Sequence, residues 1–293
     1  MNTHRKPTEY ADVCVLYGVS GDIEVWNSFY QFLINWLKNH GFTPNQLGIN
    51  GQSWSGRPGK FERLNSKILK KGFAEIQDVE VRCTSMDEPT FNSKWNMFAS
   101  ISPRMRMCAI VSVSNSNSAL ISPRDHLIEY ASEKLRPVHG FCTKRSIDKA
   151  PELFVVGLTS ADSRESEPQR SEVFEWAHNQ ELQEGVVLRD VYPMSYLTEK
   201  RLTQLVDGVT LMDWINASEN RGRLTPLANG YAWHVPEADI PRVRDELNSA
   251  GLLYQLPPPR PKPPPLSPEA QAKVDAIREE LYRNIGVTPE RRT

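Results

Sequence analysis

The sequence predicts an α+β protein whose helices pack on one face of a mostly antiparallel sheet, arranged as two ferredoxin-like halves. Three observations carry this expectation. Strand-like and helix-like segments succeed one another as strand, helix, strands, helix, strand. One helical segment bears an apolar stripe wide enough to lie across a sheet. After Tyr254 the composition changes abruptly to proline, which closes the globular part. The resulting divisions are an N-terminal α+β domain over 1–159, a C-terminal α+β module over 160–256, a polyproline linker over 257–268 and an amphipathic tail helix over 269–286.

The first strand is expected over Ala11–Tyr17, a β-rich run closed by Gly18 and Gly21. A helix follows from about Ile23 to His40, with Asp22 placed to cap it and Gly41 to end it. Ile23, Trp26, Phe29, Tyr30, Leu33, Trp36 and Leu37 recur at helical spacing, and their bulk marks a core element. Residues 44–60 are expected to form a glycine-rich loop, followed by a helix from Phe61 to about Lys71 that Gly72 stops. Strands are expected at Glu75–Cys83, Trp95–Ile101 and Met107–Ser114, then a polar loop at 114–118. Ser122-Pro123-Arg124-Asp125 opens another helix, and Leu153–Leu158 reads as a further strand.

In the C-terminal module a helix is expected over Gln169–Leu182, with short helices over Leu197–Val206 and Thr210–Ala217. Arg223–Val235 reads as a hairpin turning at Asn229-Gly230. A last helix runs from about Pro241 to Ala250, before Gly251. Eight of the twelve residues from Pro257 to Pro268 are proline, so this stretch favours an extended polyproline II spacer. Beyond it, Ser267 caps a helix whose Val274, Ile277, Leu281 and Ile285 share one face. That stripe implies docking, either back onto the body or onto another chain.

Charge and composition narrow the function. Lys and Arg number 35 against 36 Asp and Glu, so the phosphate-neutralising excess of a nucleic-acid binder is missing and such a role needs a local patch. The N-terminus MNTHRKPTEY lacks the apolar core of a secretion signal, and no apolar run approaches the ~20 residues of a membrane span. A cytoplasmic protein without membrane contact is expected. Cys14, Cys83, Cys108 and Cys142 form no CxxC pair, so neither a zinc site nor a dithiol redox centre is indicated.

The stretch Gly48–Lys60 has glycines at phosphate-loop spacing between Gly51 and Gly56. Arg57-Pro58 stands where Lys-Ser is needed, and the proline removes an amide donor. His126 and Glu129 supply two metal ligands without a third, and His139 beside Cys142 lacks an orienting group for a nucleophile. No cofactor or metal is expected. The helix after the loop is more informative: Lys60, Arg63, Lys67 and Lys70 recur every three or four residues. With Trp54 and Arg57 they form a candidate contact face for an acidic partner or a phosphate backbone.

Residues 186–253 contain VVLRDVYPMSYLTEKRL, VDGVTLMDWI and GRLTPLANGYAWHVPEADIPRVRDELNSAGLL. This segment resembles the C-terminal module of bacterial immunity-type proteins associated with secreted-toxin loci. The resemblance implies a non-enzymatic protein that neutralises a toxin by direct occlusion, with a few aromatic and charged anchors. Two other readings stay open: a transferase or hydrolase acting on a phosphorylated substrate at Gly48–Lys60, and a structural adaptor or homo-oligomer assembled through the tail helix.

Overall fold

A computed structural model describes residues 9–84, 95–113, 121–159, 166–256, 267–274 and 276. The expected loop at 114–118 and tail residues Ile277, Leu281 and Ile285 lie outside these, as does the proline-rich stretch except Ser267 and Pro268. Residues up to Leu256 form one compact unit and Pro257–Thr293 another. In the second unit residues 268–274 are helical and Ser267 caps them, its Oγ accepting from the Ala270 N–H at 3.2 Å. Val274 is exposed.

In the first unit, β1 (Tyr10–Tyr17) leads to α1 (Ile23–Asn39), whose amide at Val25 is capped by the Asp22 carboxylate at 2.9 Å. β2 (Gln46–Gly51), β3 (Trp54–Ser55) and β4 (Gly59–Lys60) precede α2 (Phe61–Lys71). Then come β5 (Ile76–Thr84), β6 (Trp95–Ser102), β7 (Met107–Val113), α3 (Ile121–Leu135) and β8 (His139–Ser146). α4 (Pro151–Val155), α5 (Glu167–His178) and α6 (Gln180–Glu184) are followed by β9 (Met194–Leu197) and α7 (Glu199–Leu202). A small hairpin, β10 (Leu205–Val206) with β11 (Val209–Thr210), enters α8 (Leu211–Asn216). β12 (Arg223–Leu227), β13 (Gly230–His234) and α9 (Ile240–Ser249) complete the unit.

Eleven strands form one sheet in the order β12-β13-β9-β8-β1-β7-β6-β5-β2-β3, with β4 also on β2. Every paired neighbour in it is antiparallel, as expected. The two ferredoxin-like halves give way to this single sheet, because β9 pairs directly with β8 through His139↔Leu197 and Cys142↔Met194.

Helices cover both faces, which corrects the one-face expectation. The cause is β1, where both alternating side-chain sets are buried. Cys14 and Leu16 face α1, α2 and α3, which contribute Trp26, Phe29, Leu33, Phe61, Ile68, Leu127 and Leu135. Val13, Val15 and Tyr17 face the opposite way, onto Phe154 and Val155 of α4 and Trp176 of α5. Such a strand must be covered twice, since each large apolar side chain left in water forgoes about 2 kcal/mol. Leu153–Leu158, expected as a strand, therefore supplies a helical cover: Pro151 starts α4 and Phe154 caps the aromatic cluster.

Three other expectations change. Residues 44–60 hold strand β2, whose ladder with β5 runs from Gln46↔Arg82 to Gly51↔Ile76. The helix over Gln169–Leu182 breaks at Asn179, whose side chain accepts from the Leu182 amide and caps α6. Leu197–Val206 divides into the end of β9, α7 and β10. The hairpin at 223–234 forms as expected, but tertiary contacts pin its turn. Asn229 donates to the Ser132 carbonyl at 2.9 Å, and its own carbonyl accepts from the Tyr196 hydroxyl at 2.6 Å. Pro226 sits on the outer edge strand β12, where a missing N–H blunts further strand addition.

The second face contains buried charge. The Arg189 side chain is 1% exposed and donates to both oxygens of Glu172, at 2.7 and 3.3 Å. Its guanidinium lies 4.6 Å from the Phe154 ring and 5.3 Å from Phe141. Beside it His139 is fully buried among Tyr17, Phe141 and Trp176. Burial, reinforced by Arg201 and Arg189, holds its imidazole well below the usual histidine range.

Two stability measurements test this layer. Glu172→Ala leaves the Arg189 guanidinium buried without its counter-charge and is expected to cost about 3 kcal/mol in urea unfolding. A loss under about 0.5 kcal/mol, as for an exposed ion pair, refutes the assignment. His139 is neutral when folded and protonates once unfolded, so below pH 6.5 the unfolded chain binds the extra proton and stability falls with falling pH. His139→Phe is expected to flatten that fall by at most about 1.4 kcal/mol per pH unit. Parallel stability–pH curves for the two proteins refute it.

Candidate functional site

The edge of the sheet at β2 and β3 carries the residues singled out from the sequence. α2 turns Phe61, Leu64 and Ile68 into the core and leaves Arg63, Lys67 and Lys70 exposed. Trp54, in β3, packs part-buried against the first-face core, with the Lys71 ammonium 5.7 Å from its ring centre. The fold therefore brings Trp54 and the C-terminal turn of α2 together on one flank of the edge. Lys60 is the N-cap residue of α2 and is exposed. Arg57 is exposed too, but it lines a groove on the second face, away from the α2 stripe.

That groove has a volume of about 610 Å³. Its floor follows from strand register: Asn50 pairs with Asp78, Gly48 with Glu80, and Glu80 with Ser100, so their side chains share a face. Gly48 leaves the place beside Glu80 without a side chain, which deepens the groove. Asp78 is the hub: one carboxylate oxygen accepts from the Ser102 hydroxyl at 2.5 Å, and the other from Asn50 at 3.2 Å and Arg104 at 3.4 Å. Ser102 in turn accepts from the Met105 amide at 3.1 Å, which fixes the β6–β7 turn. Glu80 pairs with Arg82 at 3.1 Å.

The opposite wall is apolar, built from Met105, Met107, Val156 and Leu158, with His178 at the rim. Gly157 makes this wall possible. It has φ of 77°, and a β-carbon there would lie 2.3 Å from the Ala177 methyl, so α4 and α5 meet at van der Waals distance only with glycine. His178 stacks on exposed Phe174 at 4.3 Å, extending the apolar rim. Aromatic, Met and Arg side chains, residue types enriched in protein interfaces generally, surround a polar floor.

In fold, the chain is similar to the Pseudomonas aeruginosa T6SS protein PA0821. The match has a TM-score of 0.53 at 12% identity and covers 84% of this chain and 77% of that one. At that identity the likeness is one of fold. No family model matches the sequence, and no curated protein matches it.

Several sequence candidates resolve differently in three dimensions. Gly48 and Gly51 are ladder residues of β2, and a β-carbon on Gly51 would lie 2.0 Å from the Glu75 carbonyl, so Gly51 serves strand packing. The Phe61 amide, at the start of α2, donates to the Asn45 carbonyl at 3.1 Å. His139 and Cys142 project from opposite faces of β8 and form no dyad. Burial pushes the Cys83 and Cys108 thiols up to about 12, far from nucleophilic range. His126 rests edge-on against Phe32 at 5.7 Å. Among the described residues no helix is long and apolar enough to cross a membrane.

The groove is what the sequence reading missed. Its trace is the alternation Asp78-x-Glu80-x-Arg82 in β5 and Ser100-x-Ser102 in β6, a polar set on one side of apolar strands. Asp78→Ala is expected to release Ser102 and Asn50 at once and to lower stability by about 1–2 kcal/mol. Faster amide exchange in β2 and in the 102–107 turn, with β8 and β9 unaffected, is the matching local signature. Unchanged exchange there shows that Asp78 does not hold the groove together.

Proposed function

We propose that the chain is a non-enzymatic binding protein that neutralises a secreted bacterial toxin by covering its working surface. The observation that carries this reading is the likeness in fold to a T6SS protein over 84% of the chain. The resemblance of residues 186–253 to immunity-type proteins points the same way. The sheet edge adds a physical means: an aromatic anchor at Trp54, a cationic helix beside it and a groove rimmed by Leu158 and His178. Such a surface can occlude a partner without making or breaking a covalent bond.

Co-expression tests the reading. The chain is expected to restore growth to cells producing the toxin encoded beside it, and to co-purify with that toxin as a stable complex. Neither rescue nor complex with any neighbouring product ends the proposal.

A further inference from the structure

We infer that the outer face of α2, with Trp54 at its flank, is the docking surface for an acidic protein. The inference rests on the binding reading above and names its surface and the chemistry of its partner. From its N-cap at Lys60 to Lys71, α2 carries five cations against Glu62 alone, in a chain whose formal net charge is −1. The charge is thus segregated onto one helix rather than spread by composition.

The cations on this helix differ from several paired arginines elsewhere on the molecule. Arg106, Arg189, Arg242 and Arg244 each hold a carboxylate of the chain itself. Among the described residues Arg63, Lys67 and Lys70 hold none and are exposed. Helix stability does not account for Arg63 or Lys67. Lys70 and Lys71 sit in the last turn, where cations complement the helix dipole. Lys60 stands at the N-cap without a side-chain capping bond, and Arg63 lies one turn in, at the end where positive charge opposes the dipole. A stability-driven sequence places Ser or Asp at the cap; this helix has the acid Glu62 in its first turn but a cation at the cap and further cations along its length.

The partner class follows from charge and shape. A nucleic acid extends beyond one helix, and with residues 60–71 at a formal +4 the rest of the chain nets −5, which repels its backbone. A protein surface needs a compact charged patch with an aromatic beside it, which Lys71 over the Trp54 ring supplies. The complement is a cluster of Asp and Glu next to an apolar residue.

Fluorescence anisotropy with three labelled probes decides this: a Glu/Leu amphipathic helical peptide of about 20 residues, its Lys/Leu counterpart, and a DNA duplex of similar length. Wild-type chain is expected to bind the acidic peptide and not the basic one, and the duplex more weakly than the acidic peptide. Arg63→Glu/Lys67→Glu/Lys70→Glu is expected to weaken the acidic peptide about tenfold or more. The corresponding triple Gln variant, which only neutralises these exposed positions, is expected to fall between. An acidic peptide that fails to bind, or binds the charge-reversed chain equally well, overturns the inference. So does a duplex that binds more tightly than the peptide, or a free chain that dimerises in light scattering only while the cations are intact. In the co-expression assay, rescue that survives charge reversal overturns the surface and leaves the neutralising reading standing. If wild type gives no rescue, that reading falls and the peptide series alone decides the surface.

Discussion

The structure depends on one constraint: β1 is apolar on both faces and pairs on both edges. Its ladders with β7 and β8 place it inside the sheet, and its two side-chain sets demand cover above and below. The first face receives α1, α2 and α3; the second receives α4 and α5. Toward the other end, β9 and β13 put Leu197 and Trp233 into a third cluster with Trp214 of α8 and Leu247 of α9. The C-terminal segments thus extend the same sheet and carry its covering layer.

The layer over the second face is unusual in burying charge beside aromatics. Arg189, Glu172 and His139 sit within the cluster that seals β1, and Arg201 is 1% exposed, donating to the carbonyls of Val138 and Gln183. A guanidinium shielded from water is tolerated where planar donors meet fixed acceptors and aromatic faces. These contacts join β8, α5, α6 and α7, so they fix the register between elements distant in sequence. The second face then divides in two: aromatic and covered over β1 and β8, polar and open over β2, β5 and β6. The open half is the groove.

At the β2 edge the same sheet presents two chemically different sides. One carries the cationic helix with Trp54; the other carries the groove, with Asp78 and Glu80 on its floor and Arg57 and Arg104 on its lips. Both flank the short hairpin at 51–60, and the bulge at Gly51 sets its angle. An edge built this way offers charge and apolar contact in a small area without a free strand edge of any length.

Local rules determined much of this protein. Helical spacing located α1, α2 and α9, strand-like runs located β5, β6 and β7, and the Asn229-Gly230 turn located the β12–β13 hairpin, because these patterns arise from backbone geometry within one segment. The cationic run of α2 was legible for the same reason: three- and four-residue spacing fixes a shared face wherever the helix lies. Other features belonged to tertiary structure. Whether Leu153–Leu158 becomes strand or helix depends on the exposed side of β1, which no local pattern encodes. The glycines of 48–51 read equally as loop or strand until β5 lies beside them. Asp78, Asn50 and Ser102 meet only through the register of three strands, up to 52 positions apart in the chain, so the groove came into view only once the sheet was assembled.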